Sequence, residues 1–331
     1  MGKMINYFSL FVLSVIQLLI TSCKTSPDNT SITNCTACNT HDASAGKAKP
    51  LYENINGALL GSRFQSLDEL KTVIDITYVH VHASDDDTVH KNSKVLIKHC
   101  SNGCGVIAEL AFGTSQNDIS KANLGKTADK LAFITKSPYC VSIRKDLERI
   151  FLLARLRSEL FGEGDVAFFN LAEAIVKNIN TPALAFLHPR DTTEKGYLNT
   201  FNHITAQAFI TSCFSEALAD YVADAHERAY HPELIHGHFT EEKLHDLAEG
   251  PVDNYVDVIN NEWGQELGKV LKEKHHITRE TIWTPEVLTN YLNDIQAYYS
   301  WAFQIGFTPF QSEDEQIIKF SKKLTKVMHG F

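Results

Sequence analysis

From Val141 onward the apolar residues recur with a 3.6-residue period, and that repeat restricts the C-terminal part of the chain to packed helices. Leu147, Ile150, Phe151, Ala154 and Leu160 form one stripe, predicting a helix that ends near Gly162. Asp165 is placed to cap a second helix through Ile175 and Ile179, closed by Thr181-Pro182. Further helices are expected over residues 198–212, 215–229, 252–274, 285–303 and 314–328, with Pro285 opening the penultimate one. Short connections between such segments imply a helical bundle.

Upstream, the pattern differs. Ser66 to Ile74 reads as a short helix, and Ile76–Val81 and Lys94–His99 read as strands because β-branched residues dominate them. Between the strands lies Ser84-Asp85-Asp86-Asp87-Thr88, which reads as a solvated polar turn. The fold class expected is therefore mainly α, with a small α/β or α+β lobe over residues 51–140 and a helical domain over 141–331. The hydrophobic fraction of 44% is enough to fill a real core in such a body.

The first residues predict export. Lys3, an apolar run from Phe8 to Ile20 and then small polar residues make the layout of a signal peptide, residues 1–22. The run is too short to span a bilayer, which takes about 20 residues. Ile20-Thr21-Ser22-Cys23 resembles the lipobox of bacterial lipoproteins. The resemblance implies a diacylglyceryl thioether on Cys23, cleavage before it, and attachment to a membrane through that lipid. Residues 23–50 are rich in Ser, Thr, Asn, Asp, Gly and Lys and read as a flexible tether. Lys24, rather than an aspartate, follows the cysteine, so placement at an outer membrane or cell surface is expected.

Thirty-one basic and 40 acidic side chains give a net charge of −9, and loss of Lys3 with the leader takes it to −10. That balance argues against nucleic acid as a partner, and against docking on anionic headgroups by charge. Protein partners are not legible. Oxidising surroundings would favour disulfides, and close spacing makes Cys35 with Cys38 and Cys100 with Cys104 the nearest pairs among Cys35, Cys38, Cys100, Cys104, Cys140 and Cys213. The rival reading is zinc at His99 and Cys100 with His80, His82 and His90.

Polar residues concentrate at 199–268. Asn199 and His203 are four apart and share one helix face. Asp220, Asp224 and Glu227 make an acidic stripe on the next helix, with His226 beside it. Asp253, Asp257 and Asn261 step by four along a third, flanked by Asn260, and Gly264 and Gly268 extend the row. Each glycine costs about 1 kcal/mol against alanine in a helix, which calls for a compensating close approach of another backbone.

The order Asn199-x-x-x-His203, Ala225-His226-Glu227 and Asp257-x-x-Asn260-Asn261-x-x-Gly264 resembles an uncharacterised bacterial helical domain family with the pattern N-A-x-R-H, A-H-E and D-x-x-N-N-x-x-G-R. The resemblance covers residues 199 to about 301 and implies a helical fold but no activity. Two arginines of that pattern are replaced here by Asn202 and Gln265, which removes the groups that would clamp an anion bidentately.

Two chemical readings of the cluster stay open. In one, His203, His226 and Asp257 hold a divalent metal such as zinc, and Glu227 is general base on a metal-bound water, giving a membrane-tethered hydrolase. In the other, the protein is a non-enzymatic envelope binding or assembly module, and the same residues form a structural polar network between helices. Metal-free acid–base chemistry or ligand binding in the same place is a further reading. His231, His236 and His238 crowd a loop that reads as solvated.

Overall fold

Alternating and helical apolar patterns sort the chain into a small sheet and a helical layer that meet on one long helix. The computed structural model describes residues 56–80, 93–101, 103–111, 113–230, 241–247 and 250–330. The leader, the tether with Cys23, Cys35 and Cys38, the Asp85–Asp87 turn with His82 and His90, and the loop carrying His231, His236 and His238 lie outside the described residues.

Three antiparallel strands, β1 (Ile74–His80), β2 (Ser93–Ser101) and β3 (Cys104–Ala111), pair in the order β1-β2-β3. Val95 sits opposite Leu110 and Ile97 opposite Ala108, so one face of the sheet is apolar and buried. The third strand carries little strand signal in its sequence, because Gly105, Ala108 and Glu109 have low strand preference. The helix expected over Ser66–Ile74 is confined to Leu67–Leu70, capped by the Ser66 side chain, and Ile74 already belongs to β1.

The hairpin register also settles a cysteine pairing. Cys100 faces Gly105 and Ser101 faces Cys104 across the ladder. Residues one step apart on paired strands project to opposite faces, so Cys100 and Cys104 cannot be bridged. Cys100 is disulfide-bonded, and Cys104, Cys140 and Cys213 carry free thiols. His99, beside Cys100, uses one ring nitrogen within the fold. It is buried behind the sheet, accepts the indole N–H of Trp263 at 2.9 Å, and is held neutral by burial, which pushes it down to about 4.

Among the described residues, the helices of nine residues or more beyond the sheet are α1 (Gln116–Leu124), α2 (Thr127–Lys136), α3 (Arg144–Ala154), α4 (Phe168–Lys177), α5 (Asn199–Cys213), α6 (Glu216–Tyr230), α7 (Pro251–Lys274), α8 (Pro285–Phe303) and α9 (Glu315–His329), with shorter helical turns between them. The last five lie within a residue or two of their expected positions. Others depart. α3 stops at Ala154 because Arg155 is extended (φ −127°, ψ 146°), and Ser158–Phe161 is a separate turn. Asp165 caps nothing. Its carboxylate accepts Arg157 N–H at 2.6 Å and the buried Lys323 ammonium at 2.8 Å, and α4 begins only at Phe168. Ile179 lies beyond α4 and forms a β-bridge with Phe307.

Two cores result. One gathers Phe201, Phe209, Tyr291, Tyr299 and Phe320 between α5, α8 and α9, with Phe201 stacked on Tyr299 at 4.0 Å. The other packs Val95, Ile97 and Leu110 of the sheet on Tyr255, Val256, Ile259 and Trp263 of α7. Helix α7 is therefore covered by the sheet on one side and by α5 on the other, and every residue from Pro251 to Asn261 is buried. Pro251 at its first position and Lys272 and Lys274 in its last turn suit its ends.

Against α5 the covering is backbone to backbone. A β-carbon on Gly264 would lie 2.7 Å from both the Ile204 carbonyl oxygen and Gln207 Cβ, and one on Gly268 2.7 Å from the Ala208 carbonyl oxygen. Only glycine admits so close a crossing, and the packing gained offsets its helix penalty.

Candidate functional site: a polar ladder between three helices

The tight α5–α7 crossing brings together side chains that each helix repeats every fourth residue. Asn199 and His203 project from α5, and Asp253, Asp257 and Asn261 from the facing row of α7. The Asn199 amide donates to Asp257 Oδ1 at 2.7 Å and to Asp253 Oδ1 at 3.3 Å, tying both aspartates to one rung. Lys195, on the wide turn Glu194–Leu198 ahead of α5, donates to Asp253 Oδ2 at 2.7 Å.

His203 forms the next rung. Its Nδ1 donates to Asn261 Oδ1 at 2.9 Å, since an amide oxygen only accepts, and its Nε2 faces Asp257 Oδ2 at 3.3 Å. Asn261 then donates from Nδ2 to Glu227 Oε1 of α6 at 3.3 Å. Lys195, Asp253, Asn199, Asp257, His203, Asn261 and Glu227 thus form one continuous chain of polar contacts across three helices.

Burial sets the electrostatics. Glu227 is pushed up to about 8, first by burial and then by the neighbouring Asp257 charge. Asp257 is raised well above the carboxylate range by burial and then by Asp253, and Asp253 is raised by burial against the opposing pull of Lys195. His226 is pushed down to about 4, mainly by burial and then by repulsion from His203.

The metal-ligand set expected from sequence comes together only in part. His203 and Asp257 meet, but His226 and Glu227 are consecutive on α6 and point about 100° apart. Glu227 takes the inward direction. The His226 ring lies 6.3 Å from that of His203, centroid to centroid, and its Nδ1 pairs with Gln116 Oε1 at 3.1 Å. Among the described residues, no three or more His, Cys, Asp or Glu side chains are grouped so as to hold a metal ion.

Other residues of the motif serve elsewhere. Asp224 pairs with Arg228 at 2.5 Å, and that arginine also donates to the Ala111 carbonyl at the end of β3. Asn260 points away from the ladder and clasps the Leu59 backbone, accepting its N–H and donating to its C=O, each at 2.9 Å. Lys195 and Gln116 were not singled out by sequence. Lys195 was findable, because Lys195, Asn199 and His203 step by four, whereas Gln116 carries no local signal.

Comparison with known proteins returns no match to a family model, a curated protein or a solved structure.

Proposed function

We propose that the protein is an exported lipoprotein, attached to a membrane through lipid on Cys23, whose helical body is a non-enzymatic binding or assembly module braced by the polar ladder. One observation carries the reading of the ladder: both ring nitrogens of His203 face oxygens of α7, Asn261 Oδ1 and Asp257 Oδ2. An imidazole so placed is held by residues of one row of α7 on both sides. Its contacts fix the register of α5 on α7. The lipobox-like tetrad and the polar stretch behind it support attachment.

The test is elemental analysis and thermal unfolding of the chain purified from its membrane. A structural brace gives no stoichiometric metal, and His203→Ala lowers the melting temperature, because buried partners left unpaired cost about 1–3 kcal/mol each. Mass spectrometry of the N-terminal peptide reads the lipid on Cys23, and an unmodified cysteine there ends the lipoprotein reading.

A second reading is favoured by the crowding of Asp253, Asp257 and Glu227, all held above their ordinary range, beside two imidazoles. A divalent cation would relieve that crowding if His226 left Gln116, and Glu227 would then be the base of a hydrolase. Stoichiometric zinc that is lost in His226→Ala while the fold persists would establish it.

A further inference from the structure

A ten-residue helix that buries nothing is unusual beside a body with two well-filled cores, and α2 is such a helix. Its shape is kept by local contacts. Lys126 N–H donates to Asp129 at 2.9 Å at its start, and Lys136 pairs with Asp118 of α1 at 2.7 Å at its end. Its large aliphatic side chains face water, with Leu131 58% and Ile134 39% exposed, and Leu124 at the end of α1 is 88% exposed. Leaving apolar surface in water is unfavourable, so a face of this kind signals something that covers it.

The charges beside it indicate what. Residues 116–136 carry Lys121, Lys126, Lys130 and Lys136 against two acids, Asp118 and Asp129, in a chain whose net charge is −9. Among the described residues, Lys121, Lys126 and Lys130 have no carboxylate partner, whereas Lys136 does. The acidic total that argues against docking on anionic headgroups therefore averages over a segment of the opposite sign.

We propose that α1 and α2 form a membrane-facing surface that docks on anionic phospholipid headgroups. Leu124, Leu131 and Ile134 enter the headgroup–acyl boundary while the neighbouring ammonium groups reach the phosphates, the division of labour of an interfacial helix. Lysine suits this because its stem is apolar and its charge sits at the tip. A lipid surface matches both features at once. The docking goes beyond the lipid on Cys23, since it concerns how the body lies and not what holds it.

The test uses the full chain with Leu131→Trp on vesicles of brominated phosphatidylcholine, with or without phosphatidylglycerol, and subtracts the emission of the unsubstituted chain. On anionic vesicles the introduced indole shifts to the blue and is quenched. Adding Lys126→Glu and Lys130→Glu cuts that quenching about tenfold, and raised salt does the same by screening. The proposal is overturned if the indole emits as in water while the chain sediments with the vesicles. Equal quenching on phosphatidylcholine alone overturns the role of charge, and a lipid-independent shift that grows with protein concentration assigns the face to a second copy. A missing acyl group on Cys23 would defeat the anchor reading alone, because the indole reports docking on any vesicle the chain reaches.

Discussion

Helices α7 and α2 are built from the same chemistry and end in opposite environments. From Pro251 to Asn261, α7 buries every residue, including Asp253, Asn254, Asp257, Asn260 and Asn261, whereas α2 buries none of its ten. Inside, most of these polar groups find a partner on another element, as Asn260 finds Leu59 and Asp257 finds Asn199 and His203, whereas Asn254 Oδ1 has no hydrogen-bond partner among the described residues. Outside, local caps suffice, and it is the apolar residues that lack a partner. Polar residues on α7 thus report on packing, and apolar residues on α2 report on surface.

The largest effect expected from this contrast comes from Asn260→Ala. The change removes two buried hydrogen bonds and leaves the Leu59 N–H unpaired, so denaturant unfolding should register a loss of about 3 kcal/mol. Next comes Gly264→Ala, where the sign decides. On helix preference alone alanine would add about 1 kcal/mol, but the new methyl meets the α5 backbone, and a net loss of about 2 kcal/mol is expected. A stabilised variant would mean that α5 and α7 do not cross at backbone contact.

Glu227 gives a pH-dependent effect. Its folded value of about 8 lies above the ordinary carboxylate value of 4.5, so between these the folded state holds a proton that the unfolded state has lost. Its contribution is fully present below about pH 4.5 and is lost as pH rises toward 8. Glu227→Gln should therefore leave stability near pH 5 little changed and raise it at pH 8, flattening the curve in that window. His226 works in the other direction. Its folded value of about 4 lies below the ordinary 6.5, so its contribution is lost as pH falls from 6.5 toward 4. The smallest effect belongs to α2, where Leu131→Ser should change stability by no more than about 0.5 kcal/mol, as expected for a solvated position.

The legible parts of this fold are those that a local period encodes. The bundle helices from Asn199 onward follow from 3.6-residue spacing, and β1 and β2 from runs such as Val95-Leu96-Ile97. What depends on distant partners is hidden. Asp165 looks like a cap in sequence because nothing local announces Lys323, and the buried pair of Arg63 with Asp191 at 2.9 Å is equally silent. The site divides in the same way. Spacing by four places Asn199 with His203 and Asp257 with Asn261, but not which row of α7 faces which row of α5. The adjacency of His226 and Glu227 suggested a shared centre, and a helix turns successive side chains apart.

The most direct test of the ladder as a brace is a double-mutant cycle on His203→Ala and Asn261→Ala, read by denaturant unfolding. If the two side chains support one another across the α5–α7 crossing, each single change destabilises and the pair is non-additive by at least about 1 kcal/mol. Additivity within about 0.5 kcal/mol, or a gain in stability on removing His203, would contradict the account and favour a residue held there for chemistry.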